Sequence, residues 1–119
     1  MLRLSRRILA LAVIVILVSA FGVTVAEAPL DLSGTYKAQG INPNGTKYKG
    51  TVTFKKNDIG SYDVIWSVGI RFQGTAMLDG DTVNADWGDN TPKVYTVKQG
   101  GKVLEGLWDH GNGIEILTR

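Results

Sequence analysis

The sequence contains no cysteine and, beyond its first 28 residues, no excess of charge of either sign. Without cysteine the chain has no disulfides, no thiol chemistry and none of the thiolate ligands of structural zinc sites, so the hydrophobic core alone must hold the fold together. Between Pro29 and Arg119, ten Lys and Arg residues balance ten Asp and Glu residues. Because a neutral domain lacks the basic surface that nucleic-acid binding needs, we predict no nucleic-acid partner.

The first 28 residues contain a long hydrophobic run. Residues 8–26 are 19 positions without a charge, preceded by three arginines, which is typical of a secretory signal. The run is also nearly long enough to span a bilayer as an uncleaved anchor. We therefore predict an apolar signal or anchor helix in residues 1–28 and one domain in residues 29–119. In either case the domain is periplasmic or secreted, and it meets the membrane only through residues 8–26 if these are uncleaved.

The remaining residues alternate between apolar and polar positions, with clusters of Gly, Asn and Asp every eight to twelve residues. This pattern is typical of a small all-β sandwich or barrel, because these residues tolerate the positive φ of tight hairpin turns. The clusters separate eight predicted strands at 33–40, 47–56, 61–68, 70–78, 82–87, 93–98, 102–108 and 113–118. Since every connection is short, we predict a single antiparallel up-and-down meander that hides its edges by closing into a barrel.

The alternation also predicts which side chains face the barrel interior. The predicted inward set holds aromatic rings, aliphatic side chains and no charge: Tyr48, Val52, Phe54, Tyr62, Val64, Trp66, Val68, Ile70, Phe72, Ala76, Leu78, Val83, Ala85, Trp87, Leu104, Trp108, Ile114 and Ile116. In the sixth strand the pattern allows either Val94 or the pair Tyr95 and Val97 to point inward. An eight-stranded interior is about wide enough for side chains alone or for one small ligand, and we expect it to be filled.

Glycines recur on the predicted inward face, at Gly34, Gly50, Gly74 and Gly106. Glycine weakens a strand unless the strand must bend sharply or accept a close neighbour. The repetition therefore predicts a tightly coiled barrel in which large rings fill the space that glycine leaves.

Polar clusters offer three further hypotheses. His110 follows Asp109, which suggests either an oriented general base or a solvated turn; no nucleophile pattern accompanies the pair, and we predict that the protein is not an enzyme. An acidic concentration could hold calcium, but its spacing is not that of an EF-hand and a solvated hairpin is the default, so we predict no metal and no cofactor. It comprises Asp79, Asp81, Asn84, Asp86 and Asp89. A lysine stripe could meet anionic glycans or lipid headgroups, although outward lysines also discourage edge pairing. It comprises Lys47, Lys49, Lys55 and Lys56.

Three tryptophans lie at or near strand ends. At a barrel mouth such rings could stack on a sugar or an apolar ligand, although rings at these positions are also typical of a core or plug. We predict that the ligand contacts are Trp66, Trp87, Trp108 and Tyr95.

A recurrent order of turn and core residues carries a family resemblance. It runs through Gly34-Thr35-Tyr36, Asn42-Pro43-Asn44-Gly45, Tyr48-Lys49-Gly50, Phe72-Gln73-Gly74 and Gly106-Leu107-Trp108. In this the chain resembles a group of small exported proteobacterial all-β proteins, some of which are labelled fibronectin-binding. The resemblance covers about residues 33–117 and implies the fold; it carries over no catalytic residue.

Together these features predict a non-enzymatic extracytoplasmic binding or interaction module. Its partner would be a protein or a small apolar or glycan ligand. The alternatives are a membrane-anchored envelope structural protein and a small periplasmic inhibitor of a hydrolase, the latter by analogy of fold alone.

Overall fold

The structure, a computed structural model, describes residues 29–119. The expected signal or anchor helix in residues 1–28 lies outside this part of the chain. Within residues 29–119 no helix is both long enough and apolar enough to cross a bilayer.

The described residues form eight antiparallel strands that close into a barrel, in the order of the sequence. The strands are β1 (Gly34–Ile41), β2 (Lys47–Lys56), β3 (Tyr62–Ser67), β4 (Arg71–Asp79), β5 (Thr82–Asp86), β6 (Lys93–Lys98), β7 (Val103–Trp108) and β8 (Gly113–Thr118). β8 returns to pair with β1, from Thr118 opposite Lys37 to Ile114 opposite Ile41. The predicted all-β up-and-down barrel is confirmed, and the predicted strands match the observed ones within about two residues at each end.

Two glycines on the inward face allow neighbouring strands to approach each other closely. A methyl group at Gly50 would overlap the carbonyl oxygen of Ser67, and one at Gly74 would overlap that of Asp86. Because these obstacles are backbone atoms, a change of side-chain rotamer cannot relieve them. The prediction that strand glycines mark a tightly coiled barrel is confirmed at both positions.

Other inward glycines make room for aromatic rings on adjacent strands. Gly40 lies under the Tyr48 ring, Gly106 under the Tyr95 ring and Gly113 under the Trp108 ring. Gly34, predicted to face inward, does share the inward face with its partner Phe54, but it is exposed because it lies at the start of β1, where its φ is +129°.

The N-terminal segment closes one end of the barrel. Leu32 is completely buried there, and its backbone N–H donates to the Tyr62 hydroxyl at 3.2 Å. The Arg119 guanidinium donates to the carbonyl oxygens of Ser33 and Asp31 at 2.7 and 2.8 Å. It also lies 4.6 Å from the centre of the Tyr36 ring. These contacts plug the end at which the chain enters the barrel, which we call the closed end.

The interior differs from the prediction in β8. Ile114 and Ile116 were predicted to face inward, but Gly113, Glu115 and Leu117 are the buried residues of this strand. β8 has large apolar residues on both faces, so its own alternation does not determine its orientation. Pairing with two neighbours does, because Gly113 has to lie opposite Trp108. Ile114 consequently lies on the outer face, paired with Ile41.

Two further predictions about the interior are wrong. Ile70 is 67% exposed, because it belongs to the turn between β3 and β4 rather than to a strand. The interior is also not free of charge, because Lys93 and Glu115 are both buried in it. In β6 the ambiguity is resolved in favour of Tyr95 and Val97, which face inward with Lys93.

We expect Gly74→Ala to lower the free energy of unfolding by about 3 kcal/mol or more, because the new methyl group would overlap backbone that cannot move without breaking β4–β5 pairing. Gly45→Ala is the matched control: its surroundings are open, and only its φ of +89° is unfavourable, which costs about 1–2 kcal/mol. Urea denaturation measures both. Equal losses in the two variants would contradict the close approach of the strands.

Candidate binding site at the open end of the barrel

The end opposite the closed end carries the turns that join β1 to β2, β3 to β4, β5 to β6 and β7 to β8. Inside it lies a recess of about 220 Å³, which we call the mouth recess. Its walls are mainly aromatic and aliphatic, with one cation: Asn42, Tyr48, Val68, Ile70, Phe72, Trp87, Lys93 and Trp108.

The aromatic walls hold one another in edge-to-face contact. The Trp87 ring centre is 5.3 Å from that of Phe72 and 5.4 Å from that of Trp108, with interplanar angles of 82° and 79°. The Trp108 ring in turn meets Tyr48 at 6.5 Å. The Trp87 indole N–H donates to the carbonyl oxygen of Thr91 at 3.0 Å, which fixes the ring against the turn between β5 and β6. Edge-to-face contacts of this kind stabilise a rigid arrangement of rings.

Lys93 forms the floor of the mouth recess. Its Nζ lies 5.0 Å from the ring centres of Trp87 and Trp108 and 5.3 Å from that of Trp66. Its side chain is only 4% exposed, and Nζ is 3.1 Å from Oε1 of Glu115. Burial lowers the pKa of the Lys93 ammonium, and the Glu115 carboxylate opposes that shift. The ammonium is therefore stabilised by one carboxylate and three indole faces.

Glu115 lies one layer deeper, and four donors from the described residues surround its carboxylate. Oε1 accepts from the Tyr48 hydroxyl at 2.8 Å and from Lys93, and Oε2 accepts from the Tyr95 hydroxyl and from the Trp66 indole at 3.3 Å. Burial raises the pKa of the Tyr48 and Tyr95 hydroxyls, and the nearby Glu115 charge raises it further. This network satisfies the buried carboxylate from both sides.

The mouth recess keeps unused hydrogen-bond donors beside its aromatic faces. Among the described residues, Lys93 donates to oxygen only at Glu115, although an ammonium carries three N–H donors. The Trp108 indole N–H is buried, and it has no hydrogen-bond partner in the described part of the chain. Unused donors next to π-faces suit a ligand that brings a flat apolar surface and acceptor atoms together.

The structure divides the four predicted contact residues into two pairs. Trp87 and Trp108 line the mouth recess. Trp66 and Tyr95 are completely buried beneath it, where both donate to Glu115. Ligand binding by any of the four stays a prediction.

Sequence reasoning missed Lys93 and Glu115. The signal in the sequence was the alternation along β6, which places Lys93 on the same face as Tyr95 and Val97. The alternation pattern assigns charged residues to the outer face, because a buried charge is costly unless a partner neutralises it. The two strands carrying the partners are far apart in sequence, so the sequence alone does not reveal the pairing.

None of the other polar clusters lines the mouth recess. His110 is on an exposed turn, where both Asp109 and His110 have positive φ, and its Nδ1 is 3.9 Å from the Asp109 carboxylate. Asp79 and Asp81 lie at the turn after β4, whereas Asp86 and Asp89 lie at the opposite end of β5. Within residues 29–119 no three acidic or imidazole side chains converge as a metal site would require.

A larger depression of about 590 Å³ lies on the outer face of the barrel. It is shallow and is lined by aliphatic side chains and lysines, including Ile41, Ile114 and Lys47. Tyr48 connects its lining to the Glu115 network, but neither Lys93, Glu115 nor a tryptophan is among its lining residues. We therefore assign the candidate site to the mouth recess despite its smaller volume.

We expect Glu115→Gln to lower the free energy of unfolding by about 3–5 kcal/mol, because it leaves the buried Lys93 ammonium without a counter-charge. Lys93→Met should lower the free energy of unfolding by at least about 1 kcal/mol less than Glu115→Gln does, because Glu115 keeps three donors. Lys98→Met, an exposed lysine on the same strand, is the control and should change stability by less than about 0.5 kcal/mol. Chemical denaturation decides the order, and a larger loss in the Lys93 variant would contradict it.

We expect stability to fall as the pH rises above about 10. The pKa values of Tyr36, Tyr48 and Tyr95 are raised in the folded state, so the unfolded chain loses these protons first and binds fewer of them. The pKa of Lys93 is lowered in the folded state, which makes stability rise with pH below the unfolded value of 10.5. This is one group against three whose effect is the opposite. Absorbance at 295 nm should show at least two of the four tyrosines still protonated at pH 11 while the protein remains folded. Ionisation of all four near pH 10 in the folded state would contradict this.

Comparison of the chain with family models, with curated proteins and with solved structures finds no match in any of the three.

Proposed function

We propose that residues 29–119 are a non-enzymatic, extracytoplasmic binding module whose working surface is the mouth recess. The observation that carries the proposal is the combination of aromatic walls and unused donors in a preformed concavity. Binding sites for small molecules are typically of this kind: mostly apolar, with a few polar groups that fix the orientation of the ligand.

The rigidity of the recess supports a binding role. Its walls are fixed by ring contacts, and its floor is fixed by the Lys93–Glu115 ion pair. A site that is already ordered loses little conformational freedom when a ligand enters.

The arrangement of titratable groups supports binding over catalysis. Glu115 is the carboxylate buried beneath the recess, but four donors occupy it and the Lys93 ammonium covers it. A general base needs a free lone pair within reach of the substrate. His110 is exposed on a turn, where no described side chain other than Asp109 forms an ion pair with it.

The proposed location rests on the sequence. Three arginines followed by 19 uncharged, mostly apolar residues are the expected features of an export signal or anchor. The absence of cysteine is compatible with an oxidising compartment, because no thiol is exposed to oxidation there.

The first test of the proposal is binding. The mature protein recovered from cells is titrated with benzene, a neutral apolar six-membered ring, and with a panel of soluble oligosaccharides, and tryptophan fluorescence reports binding. Trp87→Ala should weaken binding at least tenfold, because it removes one wall of the recess. Ile59→Ala, an 86% exposed residue at the closed end, is the control.

Two results would contradict the proposal. One is that neither benzene nor any oligosaccharide binds; the other is that the Trp87 variant binds as well as the control variant does. Cell fractionation with mass spectrometry of the N-terminus tests the location separately. Recovery of the intact chain from the cytoplasm alone would contradict export.

A further inference from the structure

The mouth recess carries enough chemistry to restrict the class of its ligand. We propose that it binds one neutral sugar ring, the terminal residue of an uncharged glycan, whose apolar face packs against the aromatic walls while its oxygens accept hydrogen bonds from the floor. This inference rests on the proposed binding function.

A cationic ligand does not fit, because the chain already supplies the cation. The Lys93 ammonium occupies the position between the faces of Trp87 and Trp108, 5.0 Å from each ring centre. Trp66 faces it from below at 5.3 Å. Aromatic faces of this kind attract one positive charge, and a second one would be repelled by the first at short range and low dielectric.

An anionic ligand does not fit either, because the charge of the floor is already neutralised. Lys93 and Glu115 form a pair at 3.1 Å, and the pair has no net charge. The turns and strand ends around the mouth add more acidic than basic side chains, with Asp86, Asp89 and Asp109 against Lys47 and Arg71. An anion would therefore lose its hydration without gaining an unpaired cation.

A purely apolar ligand would leave donors without acceptors. It would cover the Lys93 ammonium, of whose three N–H groups one donates to Glu115, and the Trp108 indole N–H, which has no partner among the described residues. Burying donors away from water without a replacement acceptor is unfavourable. The ligand must therefore bring oxygen atoms as well as an apolar face.

Size and shape narrow the class further. The recess of about 220 Å³ holds the equivalent of about seven waters, which is below the range of pockets for drug-sized ligands. That space suits one six-membered ring with its substituents. A pyranose presents a face of C–H groups for stacking on an aromatic ring and an edge of oxygens that accept hydrogen bonds. It meets every requirement above without a net charge.

The test is a calorimetric titration of the mature protein with neutral hexose and N-acetylhexosamine oligosaccharides. The best neutral ligand is compared with its uronic-acid and free-amine counterparts. We expect the neutral oligosaccharide to bind at least tenfold more tightly than both, with an affinity that hardly changes between 50 and 500 mM salt. The proposal is overturned if no neutral saccharide binds with a Kd below about 1 mM, or if a charged counterpart binds equally well.

Variants separate a sugar site from a merely apolar one. Lys93→Met should weaken saccharide binding at least tenfold while benzene binding does not fall, because the variant removes donors and leaves the aromatic walls. Trp108→Phe keeps an aromatic ring and removes the indole N–H. It replaces Lys93→Met in the test of saccharide binding if the lysine variant does not fold. Lys98→Met is the matched control and should bind saccharide as the wild type does. Unchanged saccharide binding in both recess variants overturns the proposal.

The outcomes also distinguish this inference from the proposed function on which it rests. If benzene binds and Trp87→Ala abolishes that binding, but no neutral saccharide binds, the binding module stands and the ligand class is wrong. If neither probe binds, both are wrong.

Discussion

The buried ion pair between Lys93 and Glu115 is the constraint on which the open end of the barrel depends. An unpaired charge inside an apolar barrel would be strongly destabilising, so each partner requires the other and requires further donors or π-faces around it. Tyr48, Tyr95 and Trp66 are therefore committed to Glu115, and the tryptophans around Nζ are committed to Lys93. The polar network thereby specifies the positions of nearly every ring at this end.

The glycines provide the space that this network needs. Three of the large rings at the open end lie over a glycine on a neighbouring strand: Tyr48 over Gly40, Tyr95 over Gly106 and Trp108 over Gly113. Gly50 and Gly74 act differently, because they let backbones approach where the barrel coils tightly. Packing density in an interior this small leaves little alternative, since a ring and a neighbouring Cβ cannot occupy the same volume. Ring and glycine are therefore two halves of one packing unit.

The architecture was predictable from the sequence because it follows from local rules. Turn residues at regular intervals defined the eight strands, and short connections required antiparallel neighbours, which led directly to the observed meander. The orientation of β8 was not predictable in this way. Apolar residues occupy both of its faces, and the choice between Ile114 and Glu115 as the inward residue depends on pairing with β1 and β7. The candidate site was predictable in part: Trp87 and Trp108 were found from their positions near strand ends, whereas Lys93 and its partner were not. A pair of charges can be recognised as buried only when both members are placed in three dimensions.

The plugged end also fixes which way the molecule presents itself. The polypeptide reaches the barrel through Leu32 and Ser33, and Arg119 fastens that stretch to the last residues of the chain. Residues 29–33 therefore lie at the closed end, opposite Trp87 and Trp108. An attachment at the closed end would leave the mouth recess facing the surrounding solution. A force applied through such an attachment would act on the hydrogen bonds from Arg119 to Ser33 and Asp31, and not on the residues that line the mouth recess.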